Sequence, residues 1–450
     1  MQIALSDIAP CFEGVIPAVI ATCSADGMPN ITYLSHVHRM DEGHVALSAQ
    51  FFNKTRSNLQ QVDRAAVLVV HPDDGSQYQL DVQFLRTETE GPLFERMKAR
   101  LEVIASMSGM TGRFKLIGAD VFRVRECRRA MGMGMGTRAV STAAKPRSLD
   151  ALARLSSQMA ACEELAALLA VTLQGLEQHL QHAHSMVLLA DESGRRLYTI
   201  ASHGYEKSGA GSEVRMGEGP IGIAAQRGIT IRSTHLERDF LYGRAVKQRL
   251  VEEGEIDAIE QEIELPGLPE TRSQMVIPIR IRDRSYGVLC LQSASLNAYS
   301  EQDEVMLRVI ADHLATAALL SNQLAELQPQ REAIAAKSAP VAGAPVLMRH
   351  YVHDHSIFIG GEYLIKGVAG AILWKLAGAW VGEGRDTFTN RELRLDRTLK
   401  LPELSDNLEA RLVLLKQRLE DRGAPLRIEK EGRGRFRLVV SRALELQEAT

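Results

Sequence analysis

The chain has 450 residues, 45% of them hydrophobic and 24% charged, with a formal charge of -3. That length exceeds one ordinary domain of about 150 residues and predicts three, and the near balance of charge leaves any nucleic-acid binding to a local patch. No apolar run approaches the roughly 18 residues of a membrane span and no basic-then-apolar leader opens the chain, so a cytoplasmic protein without membrane contact is expected. Five cysteines, odd in number and without a CxxC pair, exclude a disulfide framework or zinc knuckle as the organising feature. Cys290, inside an apolar stretch, reads as a buried small hydrophobe.

Two stretches poor in bulky side chains divide the sequence. Residues 131–147 read MGMGMGTRAVSTAAKPR, and residues 329–345 read PQREAIAAKSAPVAGAP. Neither buries enough apolar area to order itself, so both are predicted linkers, between domains at 1–130, 148–328 and 346–450. The alternating methionines from Met131 suit a soft metal such as Cu(I), but the glycine content favours a tether, and no metal is expected.

In the first segment, Pro17 to Cys23 is a short apolar run and Asp26-Gly27 a turn signal. Strands are predicted at Ile31 to His38, His44 to Ala49 and Ala65 to His71, a helix at Pro92 to Met107, and a closing strand at Gly118 to Val124. This is the pattern of an antiparallel barrel or meander. His36 and His38, two apart on one predicted strand, share a face and are candidate haem or metal ligands against the alternative of structural residues.

The order strand, Asp-Gly turn, strand, then LSAQFFNKTRSNL (Leu47 to Leu59) resembles the pyridoxamine 5′-phosphate oxidase-like split barrels that bind FMN. The resemblance covers about residues 10–128. It implies a flavin-phosphate site at Ser48, Asn53, Lys54, Thr55 and Arg56, with FMN as the cofactor and haem as the second candidate. A phosphate needs cationic and hydroxyl donors converging from a fixed turn, which these residue types supply. The basic pair usual in the oxidases reads Asn53-Lys54-Thr55 here, and no substrate-phosphate Arg and His stand out near the segment's end.

In the second segment, Leu152 to Gln181 and Glu301 to Glu326 have helical spacing, and strands are predicted at Ser185 to Ala190, Arg196 to Ala201, Met275 to Arg282 and Tyr286 to Ser293. The stretches GEGPIGIAAQRG (Gly217 to Gly228), QMVIPIRIRDRSYGVLCLQS (Gln274 to Ser293) and NAYSEQDEVMLRVIADHL (Asn297 to Leu314) closely resemble a GAF domain. That resemblance implies an α/β/α sandwich, a small-ligand pocket and flanking helices that pair in a homodimer. The cyclic-nucleotide signature of the family is absent. The stretch Arg232 to Gly243 would be the pocket lid, with His235, Arg238 and Asp239 as candidate ligand contacts against ordinary loop polar residues.

In the third segment, Ser356 to Leu364 alternates as a hairpin turning at Gly360-Gly361, Gly370 to Trp380 is an apolar helix, and Phe388 to Arg394 starts a second one capped by Thr389 or Asn390. The third helix, Asp406 to Arg422, places Leu408, Leu412, Leu415 and Leu419 on a core stripe, with Arg411, Lys416, Arg418 and Arg422 expected on the opposite, solvent-facing side. A hairpin follows with Arg433 and Arg435 near its glycine tip. The element order resembles the winged-helix domain of response regulators, which implies DNA binding by Arg411, Lys416, Arg418, Arg422, Arg433 and Arg435; the alternative is a domain for protein contact.

The fold class expected is therefore multidomain α+β: an N-terminal antiparallel split β-barrel, a central GAF α/β/α sandwich and a C-terminal winged helix. The function expected is a homodimeric one-component sensor and transcriptional regulator that couples a flavin-type barrel and a GAF pocket to DNA. The alternative is an FMN-dependent oxidoreductase with a regulatory GAF domain, for which no general acid, base or nucleophile is named.

Overall fold

The computed structural model describes residues 3–13, 16–49, 53–72, 74–107, 116–130, 148–191, 193–234, 263, 265–282, 284–326, 345–399, 408–432 and 434–449. Both predicted linkers, apart from Pro345, lie outside the described residues. The N-terminal sheet has seven antiparallel strands in the order β2-β1-β5-β6-β7-β4-β3: β1 Ala18–Cys23, β2 Pro29–Leu34, β3 Val37–Arg39, β4 His44–Ala49, β5 Arg64–Val70, β6 Gln77–Glu88 and β7 Gly118–Arg129. The Asp26-Gly27 turn joins β1 to β2, with Gly27 N–H donating to Ser24 O at 3.0 Å and Gly27 at φ +87°. The predicted strand Ile31 to His38 is divided at Ser35-His36, because the chain turns there to place β2 and β3 at opposite edges of the sheet.

Two helices complete this unit, α1 Asn53–Gln61 and α2 Pro92–Met107. α2 is buried on two faces. Phe94, Met97 and Leu101 pack with Ala46 and Ala119 of the barrel, while Ala99 and Val103 join the core of the following domain. The four-residue steps 97/101 and 99/103 are the helical repeat that allows one helix to serve two cores.

The central sheet has six strands in the order β10-β9-β8-β13-β12-β11: β8 His184–Ala190, β9 Arg196–His203, β10 Glu213–Arg215, β11 Ile231–Ser233, β12 Ser273–Ile281 and β13 Arg284–Ser293. Its helices are α3 Leu149–Ala160, α4 Leu165–Leu180, α5 Gly219–Arg227 and α6 Glu301–Glu326. The single helix predicted over 152–181 is two helices. α3 folds back on α4 so that Leu155 lies against Gly175, where an added Cβ would stand 2.3 Å from Leu155 Cδ1. α5 also requires glycine where it meets the strand before it, since a Cβ at Gly222 would lie 2.1 Å from Arg215 O. Cys290 on β13 is fully buried and its thiol is pushed up to about 12 by burial, as expected of a small core residue.

The C-terminal unit comprises β14 Val346–Tyr351, β15 Ser356–Ile359, β16 Glu362–Ile365, α7 Gly367–Glu383, β17 Thr387–Thr389, α8 Asn390–Leu395, α9 Leu408–Asp421, β18 Leu426–Gly432, β19 Arg435–Val440 and β20 Leu444–Ala449. Thr389 caps α8, accepting from Glu392 N–H at 3.2 Å. β14 and β20 pair in parallel and close a four-stranded sheet, β16-β15-β14-β20, while β17-β19-β18 form a second. Leu408, Leu415 and Leu419 of the predicted leucine stripe are buried and Leu412 partly so. The hydrophobic core of this unit is continuous with that of the central sheet.

Candidate functional site

The residues proposed for a flavin phosphate lie at the junction of β4 and α1. Ser48 is buried and exchanges bonds with His36: Ser48 Oγ accepts from His36 N–H at 3.2 Å, and Ser48 N–H donates to His36 O at 3.2 Å. Thr55 is buried too, its hydroxyl accepting from Asn30 Nδ2 at 2.9 Å, while Asn58 Nδ2 donates to Thr22 Oγ1 at 3.1 Å. These bonds clamp α1 onto β1 and β2. Lys54 and Arg56 are exposed in the first turn of α1 and form no ion pair with a described residue. Two unpaired cations at a helix N-terminus fit a phosphate; the acceptor sides of the Ser48 and Thr55 hydroxyls are already committed. Asn53 opens the helix, and its side chain lies outside the described residues, as do His235, Arg238, Asp239 and Arg433.

A second polar centre lies between the barrel and the central sheet, around a cavity of about 100 Å³. β3 and the residue preceding it contribute His36, His38 and Arg39; α2 contributes Arg96 and Arg100; β11 contributes Arg232; α6 contributes Glu301 and Glu304. Glu13 bonds to Arg232 at 2.7 Å and lies 3.9 Å from Arg100, whose guanidinium also donates to Arg232 O. Arg39 pairs with Glu42 at 2.8 Å and with Glu301. Burial holds His36 well below its ordinary pKa, helped by Arg100 and His38. Burial, then Arg96 and Arg232, lower His38 to about 4. Both rings are therefore neutral near pH 7. His36 and His38 were predicted to share a strand face; the strand is broken there, yet both line this one cavity, with ring centres 6.0 Å apart. Among the described residues no group of three His, Cys, Asp or Glu side chains is placed to hold a metal.

The third place of interest is α9. Its leucine stripe faces the C-terminal core, and a second stripe, Arg411, Leu414 and Arg418, is buried as well. The Arg411 guanidinium lies 5.1 Å from the Tyr198 ring centre of β9, and Arg418 Nε donates to Leu364 O at 3.0 Å. Around this contact Ser208 donates to Asp421, Lys366 meets Glu213 at 3.1 Å and Lys430 pairs with Glu164. The expectation that Arg411 and Arg418 face solvent is thus corrected. A guanidinium packs its planar face on an aromatic ring and its stem on apolar groups, and helical spacing alone does not tell such a stripe from a solvated one. Lys416 and Arg422 remain exposed, Lys416 beside Glu420 at 3.9 Å and Arg422 beside Glu362 at 3.6 Å; Arg435 is half-buried.

Residues 7–128 match the family model for pyridoxamine 5′-phosphate oxidase, and residues 162–318 match that for the GAF domain. The chain carries both domains. Its pyridoxamine 5′-phosphate oxidase-type domain is the seven-stranded sheet with α1 and α2, and its GAF domain is the six-stranded sheet with its helices. Comparison with curated proteins gives no match. Similar solved structures include the GAF domain of the Acinetobacter phosphoenolpyruvate-protein phosphotransferase, at 20% identity and TM-score 0.31, over 39% of this chain and 95% of that one. The free methionine-R-sulfoxide reductase of Neisseria meningitidis is 20% identical with TM-score 0.31, over 39% and 90%. An FMN-binding protein of Syntrophomonas wolfei subsp. wolfei is 17% identical with TM-score 0.25, over 28% and 84%. No helix among the described residues is long and apolar enough to cross a membrane.

The arginines around the cavity escaped the sequence reading because they lie as far apart as Arg39 and Arg232, with no local motif joining them. The paired histidines were the one local signal.

Proposed function

We propose that the chain is a cytoplasmic, homodimeric sensory regulator whose C-terminal unit, a winged helix, is held by the GAF domain through α9 and binds DNA when released. The observation that carries this reading is the burial of Arg411 against Tyr198 of β9, which couples the candidate DNA-reading helix directly to the sensor sheet, while Arg418 bonds to Leu364 O of the C-terminal unit's own β16. An element with two alternative partners is what linkage requires: a ligand that favours one arrangement shifts the other by the same free energy. The order of hairpin, three helices and hairpin in residues 346–440 supports the winged-helix assignment. In the released state Arg411, Lys416, Arg418, Arg422, Arg433 and Arg435 are the proposed DNA contacts.

FMN is the proposed cofactor of the pyridoxamine 5′-phosphate oxidase-type domain, its phosphate taken by Lys54 and Arg56 at the start of α1, and the GAF pocket takes a small molecule. The dimer is proposed along α6, which leaves Val305, Val309 and Leu320 exposed at 62%, 47% and 53%. The test is the affinity of the full chain for duplex DNA against that of Tyr198→Ala. Loss of the Arg411 contact and of the buried ring releases α9, and affinity is expected to rise on the order of tenfold, equivalent to about 1.4 kcal/mol, with a steep dependence on salt. Absence of salt-dependent DNA affinity in both proteins contradicts the reading.

A further inference from the structure

The cavity between the pyridoxamine 5′-phosphate oxidase-type domain and the GAF domain is built from charged and unsatisfied groups, and no part of the flavin or DNA reading uses it. Its lining holds the guanidinium groups of Arg39, Arg96, Arg100 and Arg232 against the carboxylates of Glu13, Glu301 and Glu304. With both histidines neutral, the lining has one more guanidinium than carboxylates, and Glu42 outside the lining offsets it through Arg39. Arg96 is the lining guanidinium that forms no ion pair with a described residue, and it is exposed. On the same wall His36 is 5% exposed and its Nδ1 has no hydrogen-bond partner, and on the opposite wall Arg232 Nε is likewise buried without one. Buried polar atoms without partners are costly, about 1–3 kcal/mol each, and a site that leaves two of them beside the unpaired guanidinium of Arg96 is suited to an acceptor from outside the chain.

We infer that this cavity binds a small oxyanion, a phosphate or carboxylate group, held by Arg96 and Arg232 from two domains and by the imidazole of His36. A cavity of about 100 Å³ has room for an ion the size of phosphate or acetate and lies well below the roughly 300 Å³ at which pockets for larger ligands begin, so a flavin ring does not compete for it. The neutral imidazole supplies one N–H donor whose tautomer the anion selects, and the guanidinium groups supply charge-assisted bonds. Because α2 and β3 form one wall and β11 and α6 the other, the anion joins the two domains and stabilises their contact by the free energy with which it binds. The inference stands whether or not the C-terminal unit binds DNA.

The test uses the full chain with its histidines labelled for NMR, at pH 7 and constant ionic strength. Sodium phosphate and sodium acetate are titrated separately, with sodium chloride as control, while the His36 and His38 ring signals are followed. At least one oxyanion is expected to shift these signals saturably while those of His353, exposed in the C-terminal unit, stay still. Arg96→Ala, a surface change that leaves the fold intact, is expected to weaken that binding at least fivefold. A response to phosphate alone assigns a phosphoryl ligand, and one to acetate alone a carboxylate. The inference is overturned if neither anion moves the rings beyond chloride, or if Arg96→Ala titrates like the wild type.

Discussion

Replacing His38 by Asn changes how stability depends on pH, by an amount the structure sets. Burial, with Arg96, Arg232 and Arg100 nearby and only Glu301 opposing them, lowers the His38 pKa from 6.5 to about 4. The unfolded chain takes up this proton near pH 6.5, so the contribution of neutral His38 is complete above that pH and is lost as pH falls toward 4. At pH 5 the unfolded state is favoured by about 1.5 pKa units, or about 2 kcal/mol. Asn does not titrate, so His38→Asn escapes that penalty; the carboxylates act alike in both proteins, and His36, lowered first by its own burial and only lastly by His38, keeps most of its own contribution in the variant. Calorimetry of the two full-length proteins at pH 7 and pH 5 reads the difference of differences. The wild-type midpoint is expected to fall further than that of the variant by about 4–8 °C on going to pH 5. An equal fall in both would refute the claim that His38 is held neutral by its surroundings.

Two other results follow from local geometry. Thr389→Ala removes the bond to Glu392 N–H that starts α8, and should cost about 1 kcal/mol in chemical denaturation followed by Trp374 and Trp380 fluorescence, both tryptophans lying in α7; Thr389→Ser should restore most of it. Cys290, fully buried with its thiol pushed up to about 12, should resist thiol reagents in the folded protein and react only at the rate of unfolding. Modification at the rate of an exposed thiol would place β13 at the surface.

Features written in local order were legible in the sequence. The Asp26-Gly27 turn, the Pro92–Met107 helix, the Gly217–Gly228 turn and helix, and the Gly360-Gly361 hairpin all stand where spacing and turn chemistry put them. What depended on distant partners was not. The twelve-residue β6, Gln77–Glu88, alternates Gln77, Gln79, Asp81 and Gln83 with Tyr78, Leu80, Val82 and Phe84, a strand signal missing from the predicted elements, but its pairing on both sides, with β5 and β7, is written nowhere locally. β14 and β20 form a parallel pair almost a hundred residues apart, which no local signal announces. Arg411 and Arg418 have the composition of a solvated helix face, and only the arrival of Tyr198 and Leu364 O makes them buried. The cavity failed to show for the same reason, its charges being spread from Glu13 to Glu304.

The central claim is that α9 exchanges the GAF domain for DNA. Ser208 and Asp421 are hydrogen-bonded across that contact, so a cysteine at each position, joined by a short thiol-cleavable bis-thiol linker, locks α9 in place. Affinity for duplex DNA is then measured before and after the linker is cleaved. The account predicts that the locked protein does not bind and that cleavage restores salt-dependent affinity. Equal binding in both states would contradict it.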